Sequence, residues 1–165
     1  MSSSDRRAFL TLLAAAPLAA CGFTPAYGPA GPARAFMGRI AIDDPGARPS
    51  FDLVGRLEER LGRAEAPVWR LGYSISTEIV ALGITSSNAI TRYNIVGRVT
   101  FALKRIDTGA TVTSGSAQNF TSYSAAGTVV ATAASERDAY TRLMRILADA
   151  IVTDLIATSA DWAGP

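Results

Sequence analysis

Cys21 is the only cysteine in the 165-residue sequence, and its thiol could form a thioether. It directly follows Ala8–Ala20, an uncharged run of apolar and small residues that begins after the basic pair Arg6-Arg7. A basic start, a short apolar stretch and small residues at its end are typical of a secretory leader. The run is shorter than the roughly 20 residues that cross a bilayer as a helix. We therefore expect residues 1–20 to be cleaved, which leaves Cys21 at the new amino terminus.

The tetrapeptide Leu18-Ala19-Ala20-Cys21 resembles the lipobox of bacterial lipoproteins. The resemblance implies a thioether-linked diacylglycerol on Cys21 and a further acyl chain, such as palmitate, on its new amino group. Several acyl chains anchor a protein stably, whereas a single chain binds membrane only marginally. Gly22 stands where an aspartate retains many lipoproteins in the inner membrane, and this favours the outer membrane of a Gram-negative cell.

The leader leaves two alternatives open. Ser4–Leu10 resembles a twin-arginine export signal, but arginine pairs are common in other leaders, so both this route and the general secretory route are compatible with the sequence. The alternative to lipidation is an ordinary cleaved signal peptide followed by an incidental cysteine.

Arg92, Arg98 and Lys104 could bind an anionic ligand. Their spacings are even, so in a regular strand all three side chains project from the same face. The planar guanidinium group of arginine can donate two hydrogen bonds to one phosphate, and lysine supplies a point charge. These residues are candidates for binding phosphates or acidic sugars. The alternative is a solvated face that keeps the sheet soluble and protects its edges.

The sequence offers no basis for an enzyme. It contains no histidine, which excludes histidine-dependent triads and histidine-ligated zinc sites. The adjacent carboxylates Asp43-Asp44 and Glu58-Glu59 point apart in a strand or helix, and no glycine-rich phosphate-binding loop is present. We predict no catalytic residue, metal site or cofactor apart from the covalent lipid. A formal net charge of only +2 also argues against nucleic acid as a partner.

The chain is long enough for one domain after removal of the leader. Three prolines and two glycines between Thr24 and Ala35 interrupt regular structure and indicate a tether. We therefore expect a lipidated tether at residues 21–36, a single domain at residues 37–158 and a tail at residues 159–165.

The periodicity of apolar residues predicts an α+β fold with two helices packed on one face of a mostly antiparallel four-stranded sheet. Period-two alternation indicates long strands, and apolar stripes spaced three or four residues apart indicate helices. Ser135 and Asp138 have the spacing of a helix-capping box near the start of the second helix, and an earlier start at Ala131 is the alternative. The predicted order is strand 38–42, helix 50–63, strands 68–82, 91–105 and 111–123, and helix 132–157.

This order of elements, together with several short motifs, resembles the lipopolysaccharide-assembly lipoprotein family LptE. The stretch Cys21–Gly28, which reads C-G-F-T-P-A-Y-G, is similar to the start of the mature family members. Further similarity lies in four short segments: Gly97–Leu103, Asp107–Gly109, Thr121–Tyr123, and Asp138-Ala139 leading to Leu147–Ile151.

The resemblance implies a protein that plugs the lumen of the outer-membrane β-barrel LptD, helps it assemble and binds lipopolysaccharide in transit. The domain would then lie on the periplasmic side or inside the lumen, and a polar sheet face would suit that water-filled interior. Arg92, Arg98 and Lys104 become the candidate lipopolysaccharide-binding residues. Trp69 could contact the barrel wall, and Trp162 is a candidate interface anchor, with packing of the tail as its alternative.

Two other classes of protein remain as alternatives. A stand-alone periplasmic lipoprotein that binds a ligand or acts as a chaperone would be a monomer without a barrel partner. A lipid-anchored hydrolase with an unusual serine or aspartate dyad would lose its activity when one such residue is changed.

Overall fold

The chain folds in the order strand, helix, three strands, helix, and this confirms the predicted fold class. The computed structural model describes residues 25–28, 31–84 and 90–163. A short 3-10 turn at Pro32–Ala35 precedes the first strand. The elements are β1 (Ile40–Ile42), α1 (Arg48–Leu61), β2 (Trp69–Ile84), β3 (Ile90–Arg105), β4 (Thr111–Ser124) and α2 (Val129–Trp162).

The four strands form one mixed sheet in the order β1-β2-β3-β4. β1 runs parallel to β2, with Ile40 beside Trp69, because helix α1 returns the chain to the end of the sheet at which β1 begins. β2, β3 and β4 form the antiparallel meander that the sequence predicts, with Val99 beside Ala117 in the centre.

Both helices cover the same face of this sheet. The inward residues of β3 alternate with exposed ones, and Ile95, Val99 and Leu103 are fully buried. Gly97 lies among them, and a Cβ atom at this position would sit only 2.9 Å from Cδ2 of Leu143 on α2. The lack of a side chain at Gly97 therefore lets α2 lie directly against the sheet.

Helix α1 buries the apolar stripe that predicts it. Leu53, Leu57 and Leu61 face the core. The helix begins two residues before the expected position, and the hydroxyl of Ser50 accepts a hydrogen bond of 3.0 Å from the Ala47 N–H at its start. It ends at Gly62, whose φ of +78° suits glycine.

Helix α2 begins earlier than its apolar stripe. The Thr128 hydroxyl accepts a hydrogen bond of 3.3 Å from the Ala131 N–H and caps the helix. The predicted capping box at Ser135 and Asp138 is wrong, because Ser135 lies inside the helix and donates to the Ala131 carbonyl at 2.9 Å. The first turns are mostly exposed, so they carry no apolar periodicity that could show where the helix begins.

The end of α2 differs from the expected boundary at residue 158. The helix continues to Trp162, and most of the expected tail therefore belongs to it. The Trp162 ring is buried, with its centroid 5.0 Å from that of Phe36 and 5.5 Å from that of Trp69. Phe36 is the last residue of the expected tether, so the end of that segment and the end of α2 pack against each other in the core.

Candidate functional site

Arg92, Arg98 and Lys104 lie along β3 on the sheet face that points away from the helices, as their even spacing predicts. All three side chains are exposed. Successive members are six residues apart, which corresponds to about 20 Å along a strand. One phosphate group cannot contact two of them, but an extended ligand with several anionic groups could contact all three.

Arg98 occupies the middle of this outer face. Ser76 on β2 and Gln118 on β4 are its cross-strand neighbours. The guanidinium group donates a hydrogen bond to Oε1 of Gln118, which orients the side chain across β4. Among the described residues, Arg98 forms no ion pair, so its positive charge is available to a ligand.

Lys104 lies near the end of β3, in a shallow pocket of about 330 Å³. The neighbouring Arg70 pairs with Asp43 at 2.5 Å, and Arg105 pairs with Asp107 at 2.7 Å. The hydrogen bond from Arg105 lowers the pKa of Asp107 to about 2, so this carboxylate stays charged at neutral pH.

Both arginines in the pocket are therefore already neutralised. Lys104 has no ion pair within the part of the chain that the structure describes. Lys104 is thus the cation of this pocket that could still pair with an anionic ligand.

Arg92 lies at the opposite end of β3, where it lines a second shallow pocket of about 480 Å³ together with Leu82 and Ser124. Between the two pockets the outer face carries mainly hydroxyl and amide groups. Such groups both donate and accept hydrogen bonds, which suits contact with sugars or with ordered water. The polar residues of this face include Ser74, Ser76, Thr100, Ser114, Ser116 and Gln118.

Metal-binding groups do not converge in the described ranges. No cluster of three or more histidine, cysteine, aspartate or glutamate residues there is arranged to hold a metal ion. Neither described helix combines the length and the apolar character needed to cross a membrane. The outer face itself presents three cations and a row of hydroxyl and amide groups.

A second polar cluster joins the two helices to the segment before the 3-10 turn. Both carboxylate oxygens of Asp149 accept hydrogen bonds from Arg56, at 3.0 and 3.1 Å, and Arg60 donates to the same carboxylate at 2.5 Å. Arg60 also donates to the Tyr27 hydroxyl at 2.8 Å. The cluster holds Tyr27 at the end of α1.

The charge of Asp149 is favoured despite partial burial. Burial alone would raise its pKa, but the hydrogen bonds from Arg56 and the positive charges of Arg56 and Arg60 outweigh this effect and lower the pKa. Sequence reasoning missed the cluster because Asp149 is 89 and 93 residues away from its two arginine partners. The tyrosine of the C-G-F-T-P-A-Y-G stretch was its one visible signal.

The remaining predicted positions do not belong to the outer face. Cys21 lies outside the described residues, so its lipidation stays a prediction. Trp69 and Trp162 are buried against each other in the core, at 4% and 7% exposure. The expectation that they contact a partner is therefore wrong for this structure, and the packing alternative for Trp162 is correct.

Several solved structures share this fold. A protein described as a lipoprotein from Caulobacter crescentus matches with a TM-score of 0.68 and 21% identity, over 81% of this chain and 98% of that one. The rare lipoprotein B from Shewanella oneidensis matches with a TM-score of 0.58 and 16% identity, over 74% of this chain and 95% of that one. A minor lipoprotein from Acinetobacter baumannii matches with a TM-score of 0.58 and 17% identity, over 73% of this chain and 94% of that one. At these identities the likeness establishes the fold, which is one found in bacterial lipoproteins.

The sequence itself identifies the family. Residues 37–155 match the model of the lipopolysaccharide-assembly family LptE, which covers most of the described domain. No curated protein sequence matches the chain. The chain therefore belongs to the LptE family, and the resemblance inferred from its motifs is confirmed.

Proposed function

We propose that this protein is a non-enzymatic outer-membrane lipoprotein that plugs the LptD β-barrel and helps deliver lipopolysaccharide to the cell surface. The observation that carries the proposal is the family match over residues 37–155, because it includes the complete sheet and most of both helices. Diacylglycerol and an acyl chain on Cys21 would anchor the domain to the membrane.

The outer face of the sheet supports a role as a plug. A protein inside a barrel needs a polar surface that matches the polar lumen, rather than catalytic groups. The outward residues of the central part of β4 are serines and a glutamine: Ser114, Ser116 and Gln118.

The three cations of β3 support binding of lipopolysaccharide itself. This glycolipid carries several phosphates and acidic sugars on one molecule, so its anionic groups are spread over a length. Arg92, Arg98 and Lys104 are likewise spread along one strand rather than gathered in a pocket. Arg98 would bind a phosphate through its planar fork, and Lys104 would act as a point charge.

Affinity purification tests the assembly part of this proposal. The tagged protein is extracted from outer membranes in mild detergent, and its partners are identified by mass spectrometry. We expect a large β-barrel in equal stoichiometry. Recovery of the lipoprotein alone, under conditions that preserve other barrel complexes, would favour a stand-alone ligand-binding or chaperone protein.

Mass spectrometry of the amino-terminal peptide tests the anchor separately. The expected product starts at Cys21 and carries diacylglycerol and one further acyl chain, and a Cys21→Ser protein should lose both the lipid and its attachment to the membrane. A Cys21→Ser protein that still carries acyl chains would overturn the assignment of the lipid to this residue.

A further inference from the structure

Strand β2 has one edge that is largely unpaired. β1 pairs only with the first three residues of β2, Trp69–Leu71. Within the described ranges, no strand pairs with this edge from Gly72 to Ile84, although the opposite edge is paired with β3 along its length. A free edge is a row of backbone donors and acceptors that another strand can pair with.

The hydrogen bonds at the start of β2 show which residues direct these groups outward. The Leu71 carbonyl accepts from the Asp43 N–H at 3.0 Å on the β1 side, and the Trp69 N–H donates to the Arg39 carbonyl at 3.2 Å. As far as Ala81, where the register with β3 shifts, alternation along the strand then directs the backbone groups of odd-numbered residues to the free edge and those of even-numbered residues to β3. The outward set comprises Tyr73, Ile75, Thr77 and Ile79.

The same part of β2 is uncovered on its faces as well. Side chains from Ser76 to Leu82 are exposed on both sides of the sheet. They include apolar ones, with Ile79 46% exposed and Leu82 54% exposed. Exposed apolar side chains that cluster on one element indicate an interaction surface rather than a solvated strand.

The edge also lacks the residues that usually protect one. Native edges carry lysines, prolines or inward charges that prevent pairing with another chain. Residues 72–84 contain no proline and a single charged residue, Glu78. We propose that the edge of β2 from Gly72 to Ile84 binds an extended segment of a partner protein by strand addition.

The charge of Glu78 argues for a different protein rather than a second copy. Glu78 is the midpoint of residues 72–84, so antiparallel pairing of two copies along the whole free edge would place two Glu78 carboxylates opposite each other. Like charges directly opposite each other destabilise a strand pair. A partner segment with lysine or arginine at this position is favoured instead.

The faces of β2 define the rest of the partner segment. Ile75 and Ile79 lie on the same face as the core, so the partner should carry apolar residues at alternate positions on that side. The lysine or arginine of the partner segment that pairs with Glu78 lies on the opposite face, away from the core. This inference rests on the backbone of β2 and goes beyond the proposed function, since it requires neither a barrel nor lipopolysaccharide.

A synthetic peptide provides the test. The probe is the fluorescent, end-blocked nonapeptide Thr-Val-Thr-Val-Lys-Val-Thr-Val-Thr, and the control peptide carries glutamate in place of lysine. Binding to the full-length protein, purified from membranes in detergent and separated from co-purifying proteins, is followed by fluorescence anisotropy. We expect saturable binding of the lysine peptide, several times tighter than that of the glutamate peptide. Hydrogen exchange should slow at the amides of Ile75, Thr77 and Ile79.

Two variants at one position decide whether the edge is the binding site. Thr77→Pro removes an outward N–H without removing a hydrogen bond to β3, and proline is tolerated at strand edges. We expect it to weaken peptide binding at least tenfold, whereas Thr77→Val keeps the N–H and should bind like the original protein. Undiminished binding to Thr77→Pro would place the peptide elsewhere and overturn the proposal.

Glu78→Lys is a second test that does not depend on tolerance of proline. It should reverse the preference, so that the glutamate peptide binds more tightly than the lysine peptide. An unchanged preference, or no binding of either peptide to the original protein, would contradict the proposal. Sedimentation provides a further check, because a dimer that Thr77→Pro dissociates would show that a second copy occupies the edge.

Discussion

Gly97 is the residue at which α2 approaches the sheet most closely. A Cβ atom there would lie 2.9 Å from Cδ2 of Leu143 and 3.0 Å from Cδ1 of Leu147, so one of these packed side chains would have to move. We expect Gly97→Ala to lower the free energy of unfolding by about 1–3 kcal/mol, as measured by urea denaturation.

Gly55→Ala is the matched control for this substitution. Gly55 is an exposed residue within α1, and a Cβ atom there meets nothing within 4 Å. Alanine is the better helix former by about 0.8–1 kcal/mol, so this variant should be more stable than the original protein. If Gly97→Ala is as stable as the original protein or more stable, the close contact at Gly97 does not limit packing.

Asp149 gives the protein a predictable dependence on pH. Its folded pKa is lower than that of an unfolded aspartate, which is about 3.9, so its ion pairs stabilise the fold above that pH. This contribution is lost as the pH falls through the folded pKa. Because the carboxylate is 38% exposed, we expect Asp149→Asn to cost only about 1 kcal/mol at neutral pH.

The difference in unfolding free energy between the original protein and Asp149→Asn should shrink as the pH falls below about 4. Urea denaturation at several pH values measures it. Asp161→Asn is the control, because Asp161 is an exposed residue of the same helix without an ion pair among the described residues. A stability cost of Asp149→Asn that stays constant from neutral pH to about pH 2 would show that the charge of this carboxylate is not what matters.

The end of α2 provides a prediction at the scale of a whole element. Trp162 joins the last turn of the helix to Phe36 and to Trp69 at the start of β2, so three separate parts of the chain depend on one ring. We expect Trp162→Ala to cost about 3–5 kcal/mol of unfolding free energy.

Val129→Ala at the other end of the same helix is its control. Val129 is 87% exposed, and a surface substitution of this kind should change stability by less than about 0.5 kcal/mol. Thermal denaturation of the two variants compares them directly. A Trp162→Ala protein as stable as the original, but deficient in partner binding, would restore the interpretation of Trp162 as an interface anchor.

The strands and helices could be predicted because burial of one face imposes a period on the sequence. Val99, Phe101 and Leu103 alternate with less buried, outward-facing residues on β3, and Leu143, Leu147 and Ile151 form a helical stripe on α2. The same physics explains why boundaries were harder to predict. The first turns of α2 are exposed, and no stripe shows where that helix starts.

Features that depend on contacts distant in sequence could not be predicted in this way. The outward face shared by Arg92, Arg98 and Lys104 follows from local alternation. The pairing of Asp149 with Arg56 and Arg60 depends on how the helices pack, and no local pattern encodes it. The free edge of β2 likewise arises because β1 is shorter than its neighbour, which no pattern within β2 shows.

For the whole molecule, Tyr27 and the three cations of β3 follow one another in a fixed order along the length of the sheet. Tyr27 is held at the end of α1 by Arg60. The end of α1 contacts Gly38, close to the start of β2. β3 finishes beside the start of β2. Lys104 therefore lies near the same end of the sheet. Arg92 is at the far end, so the three cations form a line that leads away from the end at which Tyr27 is held.

This geometry predicts how the cations act together if they bind one extended anionic ligand. Residues separated by about 20 Å without shared partners contribute independently, so their effects on the binding free energy should add. We expect the alanine variants of Arg92, Arg98 and Lys104 each to weaken binding of purified lipopolysaccharide. The three losses of binding free energy should add up to the loss in the triple variant within about 0.5 kcal/mol, as measured by titration calorimetry at fixed salt.

Arg145→Ala is the control, because Arg145 is an exposed cation of α2, on the helix side of the sheet, and its loss should leave binding almost unchanged. Each active variant should also reduce the salt dependence of binding, since each cation removed is one fewer charge for salt to screen. If only one of the three substitutions weakens binding, the ligand contacts only the part of the sheet around that residue. If the folded triple variant binds like the original protein, the outer face is a solvated surface, and the lipopolysaccharide must be bound elsewhere.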